Sequence, residues 1–428
     1  MRFNRVLRLG LAGAIVMAAC GDDDAAEPGG TSSAASGSST ATVDSSDSTA
    51  PPDGTASSNG AAPSPDGSAT AITDIASAKA LVERFSEPVE TVGVVEPTSA
   101  TPEPGKRIVF LECPVPTCKV FGDGIQQATE LLDWELTRLT YQFTPEGQQS
   151  AFQQAVELGP DAILSSGQTP SATVQQRQAA AESGIPFFDN SAVYESDPTT
   201  ATGTVDEDPA PPTLLLEPAS FVAFQNGTLP AAWAIAQTDG NVHSIFVNVP
   251  DIPIIVPPQV SYEAALDTAC PDTCSNIVIA ATVDEIGTTI PSKVVSTLQE
   301  HPDTNYVVFT SGDFSLGVAA AVEAAGFDDV KLIGATPIQA NIESMRAGQR
   351  DEAWAGVSNT IIGWRLVDGA VRYFNGEQFA PVAFSPDDTS PAAWPVPRIY
   401  TSETAPESSD FVEPAGYVDI FSELWNIP

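Results

Sequence analysis

The sequence predicts an α/β fold built of parallel sheets in two successive halves, and three observations carry that prediction. Apolar runs too short for helices recur along the chain, beginning at residues 107–111, as strands covered on both faces of a parallel sheet require. Stretches of helical spacing separate these runs, so strand and helix alternate as in right-handed βαβ units. The alternation dissolves in a Pro-, Thr- and Asp-rich stretch at 195–212 and then begins again, without a residue-level repeat.

The stretch KRIVFLECPVPTCKVFGDGIQQATELLDW, residues 106–134, sets the pattern. Its strand at 107–111 is followed by helical spacing over 122–134, where Ile125, Ala128, Leu132 and Trp134 approximate one face. The intervening loop, 112–121, leaves the carboxyl end of the strand, which is where open α/β sheets bind ligands. A short helix at 74–85 precedes this unit, with Ile75, Ala78, Leu81, Val82 and Phe85 on one side. Further strands are predicted at 135–141, 162–166 and 187–189, and helices at 145–158 and 172–183. Gly159 and Gly184 fall just past these helices, as left-handed caps require. In the second half, strands at 243–249, 277–281, 306–310 and 331–333 alternate with helices at 259–269, 291–299 and 316–325. A helix at 360–374, a strand at 397–400 and an amphipathic end at 417–425 complete the chain.

With 428 residues and 42% hydrophobic content, the chain has material for two cores and tails. Its formal charge of −39 argues against nucleic acid or an anionic membrane surface as partner, since both require clustered Lys and Arg. Residues 1–20 read as an export signal: Arg2, Arg5 and Arg8 precede an apolar stretch too short to span a bilayer, which ends at Cys20. The run Val-Met-Ala-Ala-Cys-Gly resembles the lipobox of bacterial lipoproteins, with Met17 where Leu is commoner, and implies lipidation of Cys20 and a membrane anchor. Residues 21–70 lack Lys, Arg and aromatic side chains and are predicted to be a disordered tether. A flexible chain of that length reaches about 40 Å.

The motifs KRIVFLECPVPTC, PDAILSSGQTP, GIPFFDN, IFVNVPD, VKLIGATP and AWAGVSNTIIGWRLVDGAVRYF, and most specifically NYVVFTSGDFSLGVAAAVEAAG, carry a resemblance. Over roughly residues 72–425 the chain resembles the solute-binding lipoproteins of bacterial ABC importers, of the type I periplasmic-binding-protein fold and close to its sugar-binding branch. The resemblance implies two Rossmann-like lobes with parallel sheets, joined by a hinge. The expected division is lobe one at 72–217 plus 360–390, lobe two at 218–359, and a tail at 391–428 crossing back. It also implies capture, at the outer face of the cytoplasmic membrane, of a small polar ligand, a sugar or sugar-like compound, for delivery to an ABC permease. A ligand-sensing module for a receptor kinase or chemoreceptor, and a surface scaffold that binds no small molecule, are the alternatives.

Polar residues just past strand ends are the ligand candidates: Ser166, Gln168, Asp189, Asn190, Asp251, Asp313, Thr336, Ser358 and Asn359. Each residue type also serves as a turn or helix cap. Asp313 and Asn190 stand out because each follows an apolar strand at once, and Asp313 offers charge-assisted hydrogen bonds to a polyol. Sugar-binding relatives use cleft arginines and stacked aromatics. These loops offer no Arg, and only Phe121, Phe314 and Trp364 as aromatics. Cys113 with Cys118 and Cys270 with Cys274 read as disulfides in an exported protein; a four-cysteine metal site fails on topology, and neither metal nor cofactor is expected. The two histidines, His243 and His301, sit in no catalytic arrangement, and no phosphate-cradling glycine motif follows a strand, so an enzyme is not expected.

Overall fold

A computed structural model of the chain describes residues 70–190, 213–215, 219–377 and 384–428. The expected signal peptide with Cys20, the expected tether up to residue 69 and the loop at 195–212 lie outside the described residues.

Alternating strands and helices build two separate sheets. The first contains β1 (Arg107–Glu112), β2 (Glu135–Thr140), β3 (Ala162–Ser166), β4 (Phe187–Asn190) and β5 (Thr213–Leu215), all parallel, in the order β2-β1-β3-β4-β5. The second contains β6 (His243–Asn248), β7 (Ser275–Ala280), β8 (Tyr306–Phe309), β9 (Lys331–Ala335), β10 (Asp351–Gly356) and β11 (Arg398–Thr401), in the order β11-β10-β9-β8-β6-β7. Among the described residues only β11 pairs antiparallel, at the edge. Burial follows the order: β1, β3 and β8 are buried almost throughout, whereas the edge strands β2 and β7 are half-exposed. The continuous apolar runs thus belong to interior strands sandwiched between helices.

The helices are α1 (Ile75–Ser86), α2 (Pro116–Leu131), α3 (Pro145–Glu157), α4 (Val174–Glu182), α5 (Ala219–Ala223), α6 (Leu229–Gln237), α7 (Val256–Ala269), α8 (Ile290–Glu300), α9 (Val318–Ala324), α10 (Gln339–Arg346), α11 (Asn359–Phe374) and α12 (Tyr417–Leu424). The second helix starts six residues earlier than its spacing predicts, because Pro116 takes the first helical position, where its missing N–H costs nothing. The wide turn Phe224–Thr228 joins α5 to α6 as a π-helical segment. Gly227 lies inside that turn, where a Cβ would stand 2.2 Å from the Pro258 main-chain oxygen, so the segment runs in backbone contact with α7. The stretch 219–237 carries no strand-helix signal in the sequence, and α10 and β10 also go unpredicted.

The helix α1, placed by its sequence position with the first half, packs on α6 beside the second sheet, with Phe85 against Phe224 at 5.0 Å between ring centroids. The helix α11 packs along α2 through Gly124 and Gly363, whose Cβ atoms would meet the Thr360 and Phe121 main-chain oxygens at 2.4 Å. The chain therefore crosses back from the second sheet at Val357–Ser358, covers the first lobe with α11, and returns to the second sheet as β11.

Candidate functional site

In each sheet the strand order reverses at one place: between β1 and β3 in the first, and between β6 and β8 in the second. Connections leave a doubly wound sheet in opposite directions at such a switch point, which opens a crevice at the strand carboxyl ends. The two crevices face one another across a cavity of about 100 Å3. From the first lobe, Cys113, Val115, Thr117, Cys118, Ser166 and Gly167 line it at the ends of β1 and β3. From the second, Ile252, Ile254, Ser311, Asp313 and Phe314 follow β6 and β8, with Gln225, Asn226 and Thr336 beside them.

Disulfides join Cys113 to Cys118 and Cys270 to Cys274. The first folds the β1–α2 connection into a short closed loop in the cleft wall. Cys118 Sγ then accepts a contact of 3.4 Å from the Ser166 hydroxyl, since the oxidised sulfur has no proton to donate.

Asp313 is 2% exposed and bridges the lobes. Its Oδ2 accepts from Thr117 Oγ1 at 2.8 Å and from Ser311 Oγ at 3.1 Å. The main-chain N–H of Thr117 also acts on its carboxyl, so an acid of the second lobe sits at the first turn of α2, a helix with no side-chain cap of its own. Burial pushes the Asp313 carboxyl up to about 6 against the lowering effect of these donors. Its other oxygen, Oδ1, has no partner. Thr336, also in the wall, holds a left-handed φ of 50° and accepts the Gly312 N–H on its main-chain oxygen at 3.1 Å. A β-branched residue in that conformation stores strain, a feature that clusters at functional sites.

Of the residues predicted from sequence, Ser166, Asp313, Thr336 and Asn359 line the cavity. The others lie elsewhere. Asp189 is buried behind the wall, accepting from Ser165 Oγ at 2.7 Å, and Asn190 is buried beside it at the end of β4. Gln168 is buried with neither amide atom paired, outside the lining. Asp251 is exposed and accepts from the Val283 N–H at 3.2 Å. Ser358 caps α11 through the Ile361 N–H and donates to the Phe411 main-chain oxygen at 2.6 Å. Phe121, Phe314 and also Phe143 reach the cavity. Trp364 does not: it stacks on Trp425 at 5.5 Å under the C-terminal helix. Thr117, Gln225, Asn226 and Ser311 join the lining unpredicted. A Gln-Asn pair inside the apolar run SFVAFQNGTLPAAWAIA was the one available signal for the two amides.

Among the described residues no cluster of His, Cys, Asp and Glu could hold a metal ion, and no helix is long and apolar enough to cross a membrane. A second cavity of about 250 Å3 adjoins the first, sharing Thr117 and Asn359 and otherwise lined mainly by Pro116, Val120, Leu316, Pro337 and Ile338.

Two α/β lobes meeting at their switch points over a shared cavity define a two-lobe binding protein. The family model described as a periplasmic binding protein domain matches residues 117–378, more than half of the chain, and the chain belongs to that family. Solved structures share the type I two-lobe fold at low identity. The 5-methylthioribose transporter solute binding protein from Thermotoga lettingae, in complex with 5-methylthioribose, is 15% identical, with a TM-score of 0.57 over 77% of this chain and 100% of its own. A periplasmic solute binding protein of an ABC transporter from Actinobacillus succinogenes, with bound D-allose, is 14% identical, with a TM-score of 0.57 over 70% and 99%. A solute binding protein of an ABC transporter from Bacillus halodurans, with bound myo-inositol, is 15% identical, with a TM-score of 0.56 over 71% and 96%. No curated protein matches the chain.

Proposed function

We propose that this chain is an extracytoplasmic solute-binding protein that captures a small polar ligand, a sugar or sugar-like compound, for an ABC importer. The observation that carries the reading is Asp313: a buried acid at the switch point of one lobe that hydrogen-bonds the helix start of the other and keeps one oxygen unpaired. Contacts available only when the lobes are together drive closure on a ligand. The family and the ligands named for its structural neighbours support the same reading. The proposal is capture without chemistry, since Asp313 is the only ionisable side chain in the described lining.

In this reading lobe one comprises β1 to β5 with α11, lobe two comprises α1, residues 219–356 and β11, and the crossings between them form the hinge. The chain is exported and anchored through a lipid on Cys20, with residues 21–70 as its tether. A mass spectrum of the membrane-extracted chain should show a lipid-modified Cys20 at the new N-terminus; an unmodified or retained N-terminal segment overturns the anchor.

Thermal unfolding of the full chain against sugars, polyols and their derivatives tests the function. A ligand at a hundredfold excess over its dissociation constant adds about 2.7 kcal/mol, a shift of several degrees. Asp313→Ala should abolish that shift. A ligand whose shift survives the substitution would move the site away from this cleft.

A further inference from the structure

Two acceptors on the second-lobe wall lack a partner among the described residues: Oδ1 of Asp313 and Oε1 of Gln225. The orientation of the Gln225 amide follows from its neighbours. Asn226 donates Nδ2 to the Thr310 main-chain oxygen at 2.9 Å, which leaves Asn226 Oδ1 as an acceptor, and Gln225 Nε2 donates to that atom at 2.7 Å. Gln225 Oε1 is the atom left over. Both residues line the cleft and are more than nine-tenths buried, at 2% and 4% exposure. The Gly312 N–H donates to the Thr336 main-chain oxygen at 3.1 Å, and Gln225 Nε2 lies 3.4 Å from Thr336 Oγ1, so the two stranded acceptors belong to one connected wall.

Charge narrows the partner further. No Lys, Arg or His lines the cleft among the described residues, and Cys113 and Cys118 are oxidised. The first turn of α2 and the hydroxyls of Thr117 and Ser311 give Asp313 only partial positive charge. A carboxylate removed from water without a counterion is costly, and a ligand that brings one recovers that cost. A hydroxyl supplies one donor and no charge, whereas an ammonium supplies three donors and a full positive charge. The remaining wall is apolar, with Val115, Phe121, Phe143, Ile254, Phe314 and Ile362, and favours a ligand with an apolar face.

We infer that the ligand is an organic cation: a compact molecule whose protonated amine sits between Asp313 and Gln225 and whose apolar face lies against Phe121 and Phe314. This rests on the solute-binding reading of the cleft and names the charge class of its solute. Amino-substituted sugars and cyclitols combine that charge with a sugar-like body.

Calorimetric titration of the full chain with matched pairs tests it: D-glucosamine with D-glucose, an aminodeoxy-inositol with myo-inositol, and benzylamine with benzyl alcohol. D-Allose and 5-methylthioribose are run beside them. At about pH 7.5 the amine of at least one pair should bind about tenfold or more tighter than its alcohol. That preference should fall about tenfold at about pH 5, where Asp313 takes up its proton while the amine keeps its charge. Asp313 is hydrogen-bonded to Thr117 of α2 and to Ser311, and the other polar side chains of the lining, Ser166, Gln225, Asn226, Thr336 and Asn359, do not titrate, so the pH response belongs to Asp313. Asp313→Asn should remove the preference at either pH, and the acid arm on the unaltered chain decides the matter if that variant does not fold. Equal or better binding of the alcohols at about pH 7.5 overturns the inference, as does an amine preference that does not fall between about pH 7.5 and about pH 5. A neutral sugar bound without any amine leaves the solute-binding reading standing; a panel with no binder overturns both.

Discussion

Asp368 and Asp313 are both buried, at 0% and 2% exposure, and the chain provides for them in opposite ways. Asp368, on α11, is held by Arg365 Nη1 and by Arg372 Nε at 3.0 Å, and its other oxygen accepts from Trp425 Nε1 at 2.8 Å. The two guanidiniums reach on to the main-chain oxygens of Ala393 at 2.9 Å and Glu96 at 2.6 Å, and Arg372 also pairs with Glu377 at 3.0 Å. One helix thereby gathers the lead-in to β1, the segment before β11 and the chain's end around a charge-balanced knot. Asp313 has hydroxyls, a helix start and no cation. A paired buried charge holds segments together; an unpaired one stores a free-energy cost that a ligand can remove. The difference separates the acid of architecture from the acid of recognition.

The largest expected effect breaks the first half of that comparison. Asp368→Ala leaves the buried Arg365 without a carboxylate and Arg372 with Glu377 alone, and should cost about 3–5 kcal/mol in urea unfolding. The C-terminal helix should loosen, exposing Trp425 to solvent quenching. A loss under about 1 kcal/mol would show that the arginines find other partners and that the knot is dispensable.

Much of this was legible in the residues, and what escaped has physical reasons. Most interior strands were readable because buried parallel strands carry uninterrupted apolar runs, whereas the buried β10, which opens Asp-Glu-Ala, lacks one. Asp313 was readable because it follows one of them within a few residues. Asp251 and Ser358 follow strands in the same way, yet one accepts from the Val283 N–H and the other caps α11. A short acceptor after a strand serves caps and ligands with the same chemistry, so position alone does not sort them. Gln225 and Asn226 escaped because the stretch around them is apolar on every side, which erases the helical period. The π turn that aims them has no sequence signature. The Cys-Pro-Val-Pro-Thr-Cys segment looked like loop throughout because it holds two prolines, whereas the second opens a helix.

The central claim is that Asp313 is a recognition acid kept without a counterion at a cost to the fold. The most direct test is the difference in unfolding free energy between the unaltered chain and Asp313→Asn, by urea, across about pH 4 to 8. The folded carboxyl is raised to about 6, above its unfolded value of about 3.9, so the folded state holds the proton more tightly. Its contribution to stability is therefore full below about pH 4 and is lost as the pH rises through about 6. The variant, which does not titrate there, should match the unaltered chain near pH 4 and exceed it by about 2 kcal/mol above pH 7. A difference that stays flat across that range, or that favours the unaltered chain at the alkaline end, would contradict the claim and place Asp313 with Asp368 among the structural acids.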